Sequence, residues 1–347
     1  MKKVIAKSIL FLLIPIFLLL LCDIIIPIKV FVYRPFEALI FAKISANSPF
    51  YPNESLKMNA VGDLCHHKEN SIVKDEFWET DELGFRNDKY IKDADVLIIG
   101  DSFIAGSSLT QSNIISNEIM KLDTNLKVYN IAPSSISQFD RLLKLGKINK
   151  PKQIIFSTVE RSVPEKIHYY NANDKVEKLK KLLFYKNLNA YLDFFVKVCP
   201  LNWIKARVSN SKGVGIKGVN DSKMYFLHST APIMHTQMDL ISTKNTLVTY
   251  KKYCDSLHVK FVFMPMPDKE TVYPELVPLV NQPKYLFQLD SSLRSSGIAT
   301  INTLKIYNEY RKTNTNLLYH LDDTHWNSTA TKIIATEIIK QIQTSKL

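Results

Sequence analysis

Cysteine is scarce in this sequence, and the few cysteines follow no spacing that would hold a metal. Only four occur in 347 residues, at positions 22, 65, 199 and 254. Two histidines follow Cys65, but no second ligand pair with matching spacing exists, so we predict that the chain holds no metal. Cys65, Cys199 and Cys254 allow at most one disulfide bond and leave a spare thiol if they lie in an oxidising compartment.

The sequence also lacks internal repeats, low-complexity tracts and any motif for nucleic-acid binding. Its formal net charge is +12, but the lysines are scattered along the chain rather than gathered into a patch. We therefore expect no nucleic-acid partner. The run GVGIKG at 213–218 follows no apolar strand and opens no helix, which favours a surface loop over a phosphate-binding loop. We expect no cofactor.

One long apolar run is present, at the N-terminus. Three lysines precede it, and residues 9–22 carry no charge. A helix over residues 8–28 has the length needed to cross a bilayer, and the leading lysines favour a cytoplasmic N-terminus. A cleaved signal peptide is the alternative, but the apolar core is long and no small-x-small cleavage site follows promptly. We predict an uncleaved, single-pass signal anchor within residues 1–33 of a bacterial inner-membrane protein, with the remainder on the periplasmic or extracellular side.

Beyond a mixed, turn-rich segment at 34–90, interpreted as a stalk and lead-in, short apolar runs alternate with helical patterns. The apolar runs predict five buried strands, at 94–100, 126–132, 152–159, 259–266 and 297–303. Helices are predicted at 109–122, 138–148, 236–257, 281–295 and 327–343. This alternation predicts an α/β domain over residues 91–347, a three-layer, doubly wound (flavodoxin-like) parallel sheet of about five strands. The stretch at about 166–235 fits less well and is interpreted as a helical insertion.

The first of these strands ends in VLIIGDSFIAG, residues 96–106. Ser102 lies just past its carboxyl end, where open parallel sheets gather their functional groups. A serine nucleophile needs a base, and His325 lies in YHLDDTHWNSTA, immediately before the last helix. Taken singly, Ser102 is explained as a helix cap and Asp322-Asp323 as a capping turn. Together they predict a nucleophile and its acid–base partner on one rim of the sheet.

GDSF followed by a C-terminal Asp/His pair resembles the SGNH (GDSL-like) hydrolase superfamily. The glycine that follows the nucleophile by two residues in an α/β-hydrolase elbow is missing. Within the superfamily, the chain is similar to the alginate O-acetyltransferase-like (DHHW-type) branch. Four segments carry this resemblance, in order along the chain: TDELGFRND (80–88), STVERSVPE (157–165), FMPMPDKETVYPE (263–275) and DTHWN (323–327).

The resemblance implies roles for individual residues. Ser102 would be the nucleophile, His325 the general base and then acid, and Asp323 the residue that orients the imidazole. Asp322 has the three-before-His position of ordinary SGNH esterases and is the alternative orienting residue. Ser135 stands where the family has an oxyanion-hole glycine, and Glu160-Arg161 stand where it has an asparagine block. The candidates for contacts with substrate or oxyanion are therefore Asp101, Ser135, Glu160, Arg161, Lys269 and Trp326.

The activity implied is O-acetyl transfer to an exported or cell-surface polysaccharide. The acetyl donor in such systems is a separate multi-spanning membrane acyltransferase, which fits a domain tethered outside the membrane. The basic charge balance would suit an anionic glycan. Two alternatives stay open, an SGNH carbohydrate esterase that uses the same site with water, and an inactive glycan-binding or assembly component.

Overall fold

The structure is a computed structural model of the 347-residue chain. It describes residues 34–40, 49–65, 71–175, 215–220, 222–227, 235–277 and 284–344, together with positions 7, 11, 13–15, 17 and 18. Within these ranges, every helix is too short or too polar to cross a membrane. Most of the predicted anchor at 8–28 lies outside the described residues, and so does much of the predicted insertion at 166–235.

Five parallel strands form the central sheet. The described strands are β1 Ser55–Ala60, β2 Lys74–Glu79, β3 Val96–Ile99, β4 Val128–Asn130, β5 Gln153–Val159, β6 Ile216–Lys217, β7 Tyr225–Phe226, β8 Lys260–Met266 and β9 Ala299–Thr300. The central sheet has the order β4-β3-β5-β8-β9, and each neighbouring pair in it is parallel. The α/β class and the five-stranded parallel sheet predicted from the sequence are thus confirmed. This order is that of flavodoxin-like sheets, in which ligands bind beside the first strand, where the chain direction across the sheet reverses.

Helices cover both faces of the sheet. They are α1 Pro35–Leu39, α2 Ser102–Ala105, α3 Ile115–Leu122, α4 Ile136–Lys144, α5 Gln237–Ser256, α6 Lys269–Val272, α7 Tyr285–Arg294, α8 Thr303–Thr313 and α9 Ser328–Thr344. On one face α3 packs against α9, and α9 against α8. On the other, α5 packs against α7 and meets α4 through Phe139 and Tyr253. Strands buried on both faces need continuous apolar side chains, and β3 consists of four fully buried aliphatic residues.

The last strand is shorter than its sequence pattern predicted. The apolar run at 297–303 forms only the two-residue β9, because the side chain of Asn302 accepts a hydrogen bond from the Lys305 N–H and caps α8. Helix α8, which the sequence reading did not predict, follows at once. The GVGIKG run also differs from the predicted loop, since Ile216–Lys217 pairs antiparallel with Tyr225–Phe226.

The segment at 34–90 contains structure that its composition did not reveal. Strands β1 and β2 pair antiparallel along their full length. The rings of Phe36, Phe50 and Trp78 meet edge to face, with centroids 5.6–6.1 Å apart, and join α1 to this pair of strands. These rings belong to the same apolar core as the central sheet. Residues predicted as a stalk and lead-in therefore pack directly on the sheet domain.

Candidate active site

Ser102 and His325 meet at the carboxyl edge of the sheet. Ser102 is the first residue of α2, directly after β3 and the N-cap residue Asp101. Its Oγ lies 2.8 Å from Nε2 of His325. On the other side of the ring, Nδ1 lies 2.6 Å from Oδ1 of Asp323. Because Nδ1 faces a carboxylate, we assign the ring proton to Nδ1, which leaves Nε2 to accept the hydrogen bond of the serine hydroxyl.

Asp323 is held by four hydrogen bonds. Its Oδ1 also accepts from the His325 N–H at 2.9 Å, while Oδ2 accepts from the Ser108 hydroxyl at 2.6 Å and from the Asp63 N–H at 3.0 Å. Burial alone would raise the pKa of this carboxyl, but His325 and the charges of Arg34 and Lys74 hold it well below its usual range. Asp323 is therefore an ionised, immobile partner for the imidazole.

Asp322, the alternative orienting residue, is bound elsewhere. Its Oδ1 accepts from Lys74 Nζ at 2.8 Å, and Oδ2 accepts from the N–H groups of Gly62 and Ile72, both at 2.9 Å. Both oxygens are thus occupied by the 61–74 region rather than by His325. The structure places Asp323, not Asp322, against the imidazole.

Asp101 connects the turn that carries Ser102 to the neighbouring strand. One carboxylate oxygen accepts from the Phe103 N–H at 2.9 Å and the other from the Val159 N–H at 2.8 Å, at the end of β5. Burial raises the pKa of Asp101, although these two hydrogen bonds and the charge of His325 act in the opposite direction. Asp101 therefore links the turn after β3 to the last residue of β5, and both of its carboxylate oxygens accept hydrogen bonds from the protein backbone.

Two backbone N–H groups are available for an oxyanion. Ser102 opens α2 and Ser135 precedes α4, and neither N–H has a hydrogen-bond partner in the described part of the chain. The Ser134 N–H donates to the Gly100 carbonyl at 2.8 Å and fixes the Ser135 turn beside the nucleophile strand. Unpaired N–H groups at the start of a helix favour a negative charge.

Glu160 and Arg161 form a cluster of ionisable side chains with Asp268 at the ends of β5 and β8. Oε2 of Glu160 accepts from the Asp268 N–H at 2.9 Å, and Arg161 donates to the Asp268 carboxylate. Burial, reinforced by the charge of Asp268, raises the pKa of Glu160. Arg161 keeps about a fifth of its side chain exposed, so it is the member of the cluster that a substrate would reach.

Lys269 and Trp326 hold the loop between α8 and α9, residues 314–327, rather than line a cleft. Because this loop carries Asp323 and His325, we call it the candidate catalytic loop. The ammonium of Lys269 is buried and donates to the carbonyls of His320, Leu321 and Asp323, at 2.5, 3.1 and 3.0 Å. Burial lowers the pKa of Lys269 to about 8, despite the neighbouring carboxylates. The indole of Trp326 is fully buried, and its N–H donates to the Phe103 carbonyl at 3.1 Å. Both residues were predicted as contacts to substrate or oxyanion, and the structure instead places them in support of the loop.

Several residues around Ser102, His325 and Asp323 carry no signal in the sequence. Arg34, Asp63 and Lys74 come from the segment interpreted as a stalk, and Ser108 lies in the positive-φ region at +64°. None of them belongs to a local motif, because their partners lie hundreds of residues away in the chain. Arg86 did carry a signal, the GFR of TDELGFRND, and it is fully buried behind α2.

A metal ion has no clear place in this site. Asp63, Asp323 and His325 bring ligand atoms within 4.8 Å of one another. The two carboxylates already accept hydrogen bonds on every oxygen, and both ring nitrogens of His325 are engaged. The donor set therefore fits a hydrogen-bonded triad better than a cation site. The described cysteines, Cys65 and Cys254, are both fully buried.

Comparison with known proteins matches the C-terminal part of the chain to one family. No curated protein matches the chain. Similar solved structures include an acetylxylan esterase variant of Geobacillus stearothermophilus, with 11% identity, a TM-score of 0.36, and coverage of 73% of this chain and 96% of that chain. A putative acylhydrolase of Bacteroides fragilis has 11% identity and a TM-score of 0.36, covering 74% of this chain and 91% of its own. A GDSL-like lipase of Bacteroides thetaiotaomicron has 9% identity and a TM-score of 0.33, covering 72% and 88%.

The family match includes the candidate catalytic loop. The model described as "SGNH hydrolase-like domain, acetyltransferase AlgX" matches residues 236–347, which contain Lys269, Asp323, His325 and Trp326. This match agrees with the resemblance that the sequence indicated: residues 236–347 are similar to an SGNH hydrolase-like acetyltransferase domain.

Proposed function

We propose that this protein is a serine-dependent O-acetyltransferase that modifies a cell-surface or exported polysaccharide. The observation that carries the proposal is the continuous hydrogen-bonded chain from Ser102 through His325 to Asp323. A serine hydroxyl bound to a carboxylate-oriented imidazole is the arrangement that nucleophilic acyl transfer requires. The family match supports acetyl as the group transferred.

The first half-reaction forms an acetyl-serine. Ser102 Oγ attacks the carbonyl carbon of the donor ester while His325 Nε2 takes the hydroxyl proton. The carbonyl oxygen becomes an oxyanion, which the N–H groups of Ser102 and Ser135 would stabilise. Collapse of the tetrahedral intermediate breaks the bond to the leaving oxygen, and the imidazolium returns its proton to that oxygen. Asp323 stays ionised throughout and stabilises the imidazolium.

The second half-reaction consumes the acetyl-serine. An acceptor hydroxyl loses its proton to His325 Nε2 and attacks the acetyl carbonyl, and the new ester leaves as Ser102 Oγ recovers the proton. A sugar hydroxyl gives O-acetyl transfer and water gives hydrolysis. The same site would therefore act as a carbohydrate esterase wherever water competes successfully with the sugar acceptor for the acetyl group.

The partners that we propose depend on the site lying on the periplasmic or extracellular side of the membrane. We propose a polysaccharide acceptor, a separate multi-spanning membrane acyltransferase as acetyl donor, and a bilayer anchor through residues 8–28. The charge-free run at 9–22 and the lysines before it support the anchor. Its test is the N-terminal sequence of the protein isolated from membranes: a terminus created by cleavage before residue 40 would contradict an uncleaved anchor.

The catalytic proposal is tested with the purified full-length chain and p-nitrophenyl acetate as donor. We expect Ser102→Ala and His325→Ala to lower ester turnover by roughly 10³-fold or more, because each removes a member of a cooperative triad. Mass spectrometry should find a covalent acetyl group on Ser102 in the wild type alone. Two exposed residues supply matched controls, Ser112→Ala and His258→Asn, the latter because His258 has a φ of +57° that asparagine tolerates.

Acceptors then separate the two enzymatic activities. Polymannuronate and a neutral glucan are added to the acetylated enzyme, and acetyl is measured on the sugar and as free acetate. Acetyl on sugar selects a transferase, and acetate alone selects an esterase. Wild-type turnover matched by both triad variants would contradict the catalytic proposal and favour a glycan-binding or assembly role.

A further inference from the structure

A short segment outside the sheet domain is bound to the candidate catalytic loop. The N–H groups of Gly62 and Leu64 donate to Asp322, at 2.9 Å to Oδ2 and 3.1 Å to the carbonyl oxygen. A Cβ at Gly62 would lie 2.0 Å from that carbonyl oxygen, so only glycine permits this approach. Residues 61–65 and the Asp322–His325 turn are therefore locked together although about 260 residues separate them in the chain.

Asp63 lies at the centre of this contact. Its N–H donates to Oδ2 of Asp323 at 3.0 Å. Its Oδ1 accepts from the Thr324 N–H at 2.9 Å, and its Oδ2 accepts from the Thr324 hydroxyl at 2.7 Å. The same Oδ2 lies 3.9 Å from Nδ1 of His325. One residue thus contacts all three members of the Asp323-Thr324-His325 turn.

We propose that Asp63 is a positioning residue for acyl transfer, and that its carboxylate stabilises the charged imidazole of His325 from the side opposite Ser102. This inference rests on the proposed function. The hydrogen bonds to Thr324 fix the turn that carries His325. The charge is a separate contribution, because a carboxylate 3.9 Å from Nδ1 favours the imidazolium that forms when Ser102 is deprotonated.

Other charges lie near the same imidazole, and they determine how much Asp63 contributes to stabilising the imidazolium of His325. Asp323 is in direct contact with the ring, and Asp101 acts on it from the nucleophile turn. Arg34 lies 3.4 Å from Asp63 and 3.7 Å from Asp323, so it offsets part of both negative charges. More remote groups act through Asp323 and the loop: Lys74, Glu76 and Lys269. Asp63 therefore adds to an electrostatic field dominated by Asp323, and its removal leaves the hydrogen bond between Asp323 and His325 in place.

Asp63→Asn separates charge from hydrogen bonding. An asparagine carbonyl oxygen still accepts from the Thr324 N–H, and its amide can donate to the Thr324 hydroxyl oxygen, which keeps that hydrogen bond with its direction reversed. Asp63→Glu keeps the charge, whereas Asp63→Ala removes both contacts. Asp95→Asn is the matched control, since Asp95 has nearly the same exposed fraction, 22% against 20%, and also binds a cation and a backbone N–H. Asp95 precedes β3, at the opposite end of that strand from Ser102.

The titration of His325 is measured directly in the full-length chain. Ring-labelled histidines are followed by NMR against pH in the Ser102→Ala background, with His325→Gln to assign the signal. In Asp63→Asn, we expect the pH-dependent change of the His325 ring signals to occur at lower pH than in the parent, because a neighbouring negative charge has been lost. Asp95→Asn and Asp63→Glu should leave the pH dependence of these signals as it is in the parent.

Kinetics supply the second readout. With p-nitrophenyl acetate, we expect Asp63→Asn to lower kcat by roughly 10-fold and to move the acid limb of the kcat/KM profile to lower pH. An unchanged His325 titration in Asp63→Asn would overturn the inference, whatever the effect on melting temperature. If wild-type turnover does not depend on Ser102, the proposed function fails while the NMR titration still decides the role of Asp63.

Discussion

At the scale of single residues, two adjacent aspartates have different tasks. Asp323 accepts both ring and backbone hydrogen bonds from His325, whereas Asp322 binds Lys74 and two backbone N–H groups of the 61–74 region. The sequence leaves both open as the orienting residue, because both precede the histidine closely. The direction of each side chain is settled by contacts with a segment some 250 residues earlier, which no local pattern encodes.

This difference predicts opposite consequences for two conservative substitutions. We expect Asp323→Asn to lower kcat by about 10⁴-fold with little loss of stability, because an amide favours the wrong imidazole tautomer. We expect Asp322→Asn to reduce the free energy of unfolding by about 3 kcal/mol, because it leaves Lys74 without its buried charge partner. Its kcat should fall less than about 10-fold. Ester turnover and urea denaturation measure the two effects, and equal losses of kcat would contradict the assignment of Asp323.

At the scale of elements, Ser102 lies on a helix too short to be stable by itself. Helix α2 has four residues, and isolated helices of that length do not persist in water. Arg86 supports it from behind by donating to the carbonyls of Ala105, Gly106 and Leu109. Gly106 ends the helix at a φ of +78°, where a Cβ would lie 2.6 Å from Ile114. The position of Ser102 thus depends on a fully buried guanidinium.

Replacement of that guanidinium should therefore damage both stability and catalysis. We expect Arg86→Met to reduce the free energy of unfolding by about 3 kcal/mol or more, because several buried carbonyls lose their donor. Turnover by the folded fraction should fall as well, because Ser102 Oγ loses its fixed distance to His325. Arg294→Met is the control, since Arg294 is 57% exposed and pairs with Asp290 on a helix surface. Denaturation curves that match for the two variants would show that Arg86 does not hold α2.

Elements with a continuous apolar pattern were predictable, and elements stabilised by distant contacts were not. The runs at 152–159 and 259–266 became β5 and β8 almost residue for residue, because both faces of each strand are covered. Strands β1 and β2 carry charged residues at several positions, as in KDEFWE, and their composition gives no such signal. Ser102 and His325 were predictable because each follows or precedes a recognisable element. Asp63 was not, because its role exists only in the folded contact.

At the scale of the whole molecule, buried ionisable groups make stability depend on pH near neutrality. Burial raises the pKa of Glu76 to about 7, although the charge of Arg86 opposes the shift. Burial also raises the pKa values of Glu160 and Asp268. The folded protein therefore holds protons that the unfolded chain has already released. Each such carboxyl contributes stability that the protein loses as pH rises through the carboxyl's folded pKa.

The pKa values of His320 and Lys269 are lowered by burial, and these two groups change the pH dependence of stability outside the range from pH 6.5 to 8. Burial, with the charge of Lys74, lowers the pKa of His320 to about 4, so its contribution changes only between pH 4 and 6.5. Burial lowers the pKa of Lys269 to about 8, below that of an unfolded lysine, so this group makes stability rise with pH only above about pH 8. Between these limits the raised carboxyl pKa values dominate the pH dependence.

We therefore expect the melting temperature to fall as pH rises from 6.5 to 8, by roughly 2–4 °C for each kcal/mol of stability lost. Glu76→Gln should flatten this slope, because a neutral amide of the same shape stays uncharged at every pH and still accepts the indole N–H of Trp78. Glu309→Gln, at an exposed position on α8, should leave the slope as it is in the wild type. Scanning calorimetry at half-unit pH steps measures the three slopes. A melting temperature that rises across this interval, or a Glu76→Gln slope equal to that of Glu309→Gln, would mean that Glu76 is ionised in the folded protein and that Arg86 outweighs its burial.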